Sequence, residues 1–68
     1  MPEVSSTEAG RIIGVSQRTI VNYVDNGVME ARRMGLRKVI RIDLDELRRV
    51  AAVYQYRFDE ELATQLAK

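Results

Sequence analysis

The sequence predicts an α+β fold that is mainly helical: a winged helix-turn-helix made of a helix, a turn, a second helix, a two-stranded wing and a C-terminal helix or helices. Three observations carry that expectation. Two short helical runs are separated only by Gly14-Val15-Ser16, and paired short helices around a glycine-bearing turn are the helix-turn-helix pattern. The period then changes, and two runs, Val28 to Met34 and the β-rich Arg37 to Ile42, flank Gly35-Leu36 as a hairpin. From Leu44 onward, apolar residues recur at three- and four-residue spacing, which is helical again.

Each element has its own punctuation. Ser5 followed by Glu8 is a capping box, so Thr7 to Ile13 reads as a helix whose buried side is Ala9, Ile12 and Ile13. Gly14 can close it in a left-handed conformation. Ser16 is a good N-cap for a second helix from about Gln17 to Asp25, stopped by Asn26-Gly27. Ile20 and Val24 face inward there. Asp43 with Glu46 is another capping signature, followed by Leu47, Ala51, Tyr54 and Phe58 on one face. With no Gly or Pro afterwards, the helix is expected to continue toward Leu62 and Leu66, with a break near Arg57 to Asp59 as the variant reading, in which Asp59 caps a separate last helix. Tyr23 and Tyr54 are expected in the core and Tyr56 at the surface.

At 68 residues the chain is one domain with a small core. It has no cysteine and no histidine, which removes disulfides, thiolate metal sites and the usual general base. No cofactor, metal or catalytic residue is expected, and no paired carboxylates suggest an enzyme. Lacking a signal-peptide pattern and any long apolar run, the chain is expected to be cytoplasmic. Net charge is only +1, but residues 29–41 hold Arg32, Arg33, Arg37, Lys38 and Arg41 against Glu30 alone. A basic patch of that density is a local field suited to a polyanion, with an ordinary solvated hairpin as the competing reading.

On the second helix, Gln17, Arg18, Val21, Asn22 and Asp25 point away from Ile20 and Val24, with Thr19 at the boundary and Ser16 at the cap. The first turns of such a helix enter the major groove of DNA. Arg forks onto guanine, Gln and Asn onto adenine, and Val21 or the Thr19 methyl can meet a thymine methyl. Any surface helix also carries Gln, Arg and Asn, so the turn before it and the basic hairpin after it strengthen the reading. Arg32, Arg33, Arg37, Lys38 and Arg41 would hold phosphates or enter a minor groove. Arg41 is also placed to pair with Asp43. Asp59-Glu60-Glu61 reads as a helix-start cluster, or as an acidic contact for a neighbour's basic wing.

The runs EAGRIIGVS (residues 8–16), TIVNYVDNG (residues 19–27) and GLRKVIRIDLDEL (residues 35–47) resemble excisionases and the related MerR-like winged-helix domains. The resemblance covers about residues 4–50 and leaves 51–68 as a helical extension. It implies a small architectural protein of phages and mobile elements. Such proteins bend attachment-site DNA beside a tyrosine integrase, directing recombination toward excision in a bacterial host cell, on the nucleoid. It also implies cooperative head-to-tail assembly on double-stranded DNA repeats, with Gln17, Arg18, Thr19 and Asn22 as readers and Arg37 and Lys38 at the wing. Gly10 departs from the family's usual Ala, and on helix propensity alone should loosen the first helix by up to ~1 kcal/mol.

Two other functions compete. A small MerR-like transcriptional regulator would bind promoter DNA as a dimer, through a C-terminal coiled coil. The apolar repeat, however, meets Glu61 and Gln65 after about two heptads, which favours a monomer that associates on DNA. A protein-interaction module using the C-terminal helix is the third reading.

Overall fold

The computed structural model describes residues 3–36 and 39–66, so the expected wing residues Arg37 and Lys38 lie outside the described residues. Ser5 starts the first helix as its spacing predicts. Its Oγ accepts from the Glu8 N–H at 3.2 Å, and the Glu8 carboxylate accepts from the Ser5 N–H at 2.9 Å. Two donors that a helix start leaves free are thereby satisfied, and α1 runs over Ser6–Ile13. Gly14 caps it at φ 78°. The Gly10 carbonyl accepts from both the Gly14 and Val15 N–H groups at 2.8 Å. After the turn, Ser16 caps α2, Gln17–Asp25. Gly27, at φ 76°, closes it, with the Val28 N–H returning to the Tyr23 carbonyl at 2.9 Å.

Among the described residues the chain is a small, mainly helical α+β unit of four helices and one three-stranded antiparallel sheet. The strands are β1 (Glu3–Ser5), β2 (Arg32–Met34) and β3 (Val39–Asp43), in the order β1-β3-β2. β1 is the strand the sequence does not announce, since three residues carry no readable period. Its Val4 pairs with Ile42 and is fully buried. The first arm of the expected hairpin is shorter than predicted, because residues 28–31 are not a strand. There the Val28 and Met29 N–H groups close α2 on Tyr23, Met29 is buried in the core, and the Glu30 N–H goes to a Glu46 carboxylate at 2.8 Å. With the N–H groups of residues 28–30 already paired this way, they are not free to donate to a ladder.

Asp43 caps α3, Leu44–Val53, by accepting from the Asp45 N–H at 2.8 Å. Glu46 plays a tertiary part instead of the expected capping one. Arg49 forks onto it with two bonds of 2.7 Å and also donates to the Val28 carbonyl at 3.1 Å, so α3 holds the 28–30 segment. The Arg49 hydrogen bonds keep the Glu46 carboxyl below its ordinary value of 4.5 against the opposing effect of burial, helped by the Glu30 N–H. A depressed carboxyl pKa adds stability that is fully present above the ordinary value and is lost as pH falls through the folded one. Glu46→Gln is therefore expected to flatten the acid limb of a melting-temperature profile; an unchanged limb would mean this pair does not couple to folding.

The uninterrupted long helix does not form: α3 ends at Val53 and the next helix begins at Glu60, so the break includes the Arg57–Asp59 stretch of the variant reading but starts earlier, at Tyr54-Gln55. Gln55 adopts φ 61°, and the Tyr56 N–H closes on the Ala51 carbonyl at 2.8 Å. That is the Schellman arrangement that glycine usually serves. Putting glutamine there carries local strain, and Gln55→Gly is expected to raise stability by up to ~1 kcal/mol in urea unfolding. The chain then returns across the molecule. The Asp59 N–H donates to the Ile12 carbonyl at 3.0 Å, and the Asp59 carboxylate caps α4, Glu60–Leu66, through the Leu62 N–H at 3.0 Å. Arg48 lies 4.8 Å over the Phe58 ring and bonds Glu60 at 2.8 Å. Ala63 is buried. The extension is thus a packed fourth helix.

Tyr23 packs half-buried against the core as expected, but Tyr54 and Tyr56 exchange their expected places. Tyr56 is half-buried, its hydroxyl 2.5 Å from that of half-buried Tyr23. Tyr54 is exposed and stacks on the Tyr23 ring at 5.6 Å. The turn at Gln55 rotates Tyr56 inward and leaves Tyr54 outside.

Candidate nucleic-acid interface

α2 presents its apolar and polar sides as its spacing dictates. Ile20 is fully buried, Tyr23 and Val24 are half-buried against the core, and Arg18 and Asn22 are exposed one turn apart. Val21 is half-buried beside them. Arg18 forms no ion pair among the described residues. Its fork of donors therefore stays available, as does the Asn22 amide, which offers both donors and an acceptor.

The start of α2 is more engaged. The Ser16 hydroxyl accepts from the Thr19 N–H at 3.2 Å and lies 3.0 Å from the Thr19 hydroxyl. Gln17 is exposed, yet its amide nitrogen donates to the Ser6 hydroxyl of α1 at 3.1 Å. That bond uses one of two amide hydrogens and leaves the carbonyl oxygen open. It also fixes the side chain before any ligand arrives.

The hairpin places Arg32 opposite Arg41, and Arg33 opposite Ile40. Two facing cations would repel. Glu3 relieves this: its carboxylate accepts from Arg32 at 2.7 and 2.8 Å, and its backbone carbonyl accepts from Arg41 at 3.3 Å. Arg41 is thus held by Glu3 rather than by Asp43. Arg33 reaches the other way, donating to Asp25 at the end of α2 at 2.6 Å. The Arg32 hydrogen bonds hold the Glu3 carboxyl below its ordinary value, and Glu3 in turn raises Arg32.

Glu3 and Asp25 are the residues that a segment-by-segment charge count does not connect to the basic run, since both lie outside it in sequence. They hold the hairpin cations in defined positions. The Arg33–Asp25 pair is open to water on both sides, so solvent and salt compete for it and a phosphate can take the place of the carboxylate, whereas Glu3 is more sheltered behind an exposed Arg32. The Arg33–Asp25 bridge also sets the base of the hairpin beside the C-terminal end of α2.

Compared with protein-family models, curated proteins and solved structures, the chain matches none of them. Its functional reading therefore rests on its own residues. Among the described residues no helix is long and apolar enough to cross a membrane. The acidic cluster at the start of α4 is largely committed within the chain: Asp59 caps, Glu60 pairs with Arg48, and Glu61 stays exposed.

Proposed function

We propose that the chain is a winged helix-turn-helix protein that binds and bends specific double-stranded DNA, with α2 as the reading helix and the β2–β3 hairpin as the wing. In this reading it acts as an excisionase. It assembles head to tail on attachment-site repeats beside a tyrosine integrase, on the nucleoid of a bacterial cell, and biases recombination toward excision without catalytic groups of its own. The observation that carries the reading is the exposed Arg18–Asn22 face of α2, joined to a cationic hairpin by the Arg33–Asp25 bridge. An α-helix face with a forked donor and an amide is suited to base edges in the major groove. The neighbouring arginines are suited to phosphates.

A small MerR-like regulator is the second reading. It is favoured by exposed Val53 and Tyr54 at the end of α3, where a dimerising helix would lie. Both readings share one DNA surface and differ in symmetry. Selection of binding sites from a random duplex pool separates them. Direct repeats about one helical turn apart support head-to-tail assembly, and inverted repeats support a two-fold dimer. A pool that yields no enriched site overturns both.

A further inference from the structure

The described residues at the far end of the hairpin expose large apolar side chains. Leu36 is fully exposed, at 105 %, and Met34 and Val39, which close the last rung of the ladder, are 47 % and 48 % exposed. Gly35 turns the chain there at φ 76°. Three large apolar side chains are thus gathered at one end of a ribbon whose own sequence is cationic, with Arg32 and Arg33 paired to Glu3 and Asp25 farther along it. Residues 31–42 contain Arg32, Arg33, Arg37, Lys38 and Arg41 and no acidic residue. An apolar patch that served a neutral or basic protein surface would gain nothing from that setting, whereas a polyanion with an apolar interior matches both features. Duplex DNA is such a partner, with phosphates outside and stacked bases within.

Resting on the DNA-binding reading, we infer that Leu36 is a wedge that enters the minor groove and partly unstacks one base step. Two strands of a ribbon lie about 4.8 Å apart, and their side chains make the ribbon wider than a minor groove of about 6 Å. The ribbon therefore stops at the groove mouth, where its arginines meet phosphates on either side. A single tip side chain can go further. Apolar side chains inserted at a base step kink the duplex and let it wrap more protein surface, which gives the bending a physical origin in one residue.

The test uses the selected duplex with 2-aminopurine placed at successive positions in and beside the site. Binding of the wild-type chain is expected to raise fluorescence at one step. Leu36→Ala and Leu36→Asn are expected to lose that rise and most of the bend measured by end-to-end energy transfer, while still binding the duplex. Leu36→Met should restore both. A wild-type chain that binds without any fluorescence rise overturns the wedge and leaves the DNA-binding reading standing, as does a rise that Leu36→Ala preserves. A chain that binds no duplex overturns both. If instead the free wild-type chain self-associates in sedimentation and Leu36→Ala does not, the tip seats on a second copy and the wedge is overturned.

Discussion

A Gly10→Ala chain is expected to be destabilised by about 1–3 kcal/mol, as a methyl forced into a filled space usually is. Helix propensity argues the other way, because alanine in a helix interior is worth ~1 kcal/mol over glycine. The surroundings decide the sign. A Cβ on Gly10 would lie 2.6 Å from the Val15 carbonyl oxygen, 3.3 Å from the Ser16 carbonyl carbon and 3.4 Å from the Gln17 nitrogen. All three are backbone atoms of the turn that leads into α2, so no flexible side chain can swing aside. The same turn is held by the Gly10 carbonyl, which accepts from Gly14 and Val15. A shift that made room would stretch those bonds and tilt α2 on α1. In a domain of this size, with only ~3–5 kcal/mol to lose, that is a large fraction of the total. Urea unfolding followed by circular dichroism measures it. An alanine chain as stable as wild type would show that the turn does not press on Gly10.

Arg18→Ala is expected to weaken binding to the selected site by about 1–3 kcal/mol, the worth of one good bidentate base contact, while changing random-duplex binding far less. Arg33→Ala should weaken both alike and lower the salt slope by about one, as for a lost phosphate contact. Asp25→Asn sharpens the contrast. It frees Arg33 from its 2.6 Å partner and is expected to strengthen binding to random duplex. Titrations on both duplexes at several salt concentrations read all three. Equal effects of Arg18→Ala and Arg33→Ala on both would remove the division between reading helix and anchoring hairpin. No effect from either would place the binding surface elsewhere.

The helix starts were legible because they are local. Ser5, Ser16 and Asp43 cap from positions fixed by a few neighbouring residues, and Gly14 and Gly27 end helices through their own backbone freedom. The inward side of α2 was legible from the spacing of Ile20 and Val24. The outward positions of Arg18 and Asn22 follow by subtraction. The break at Gln55 was not legible, because a glutamine carries no left-handed signal. The turn there is held by contacts that close only in three dimensions, namely Asp59 to Ile12, Tyr56 to Tyr23 and Arg48 over Phe58. β1 was too short to show a period, and its strand state depends on finding β3.

By itself the sequence determined the order of helices and hairpin, the capping residues and the face of α2 that meets solvent, since each follows from spacing and local hydrogen bonding. Only the tertiary structure decided what the charges do. Glu3 joins Arg32 and Arg41 across the sheet, Asp25 joins Arg33, and Glu46 joins Arg49 to the Glu30 backbone. It also decided that Gly10 is needed where propensity alone would favour alanine. The reason is the same in each case: an ion pair or a steric contact depends on distance in space, and these partners are brought together only when the sheet and the helix pair have formed.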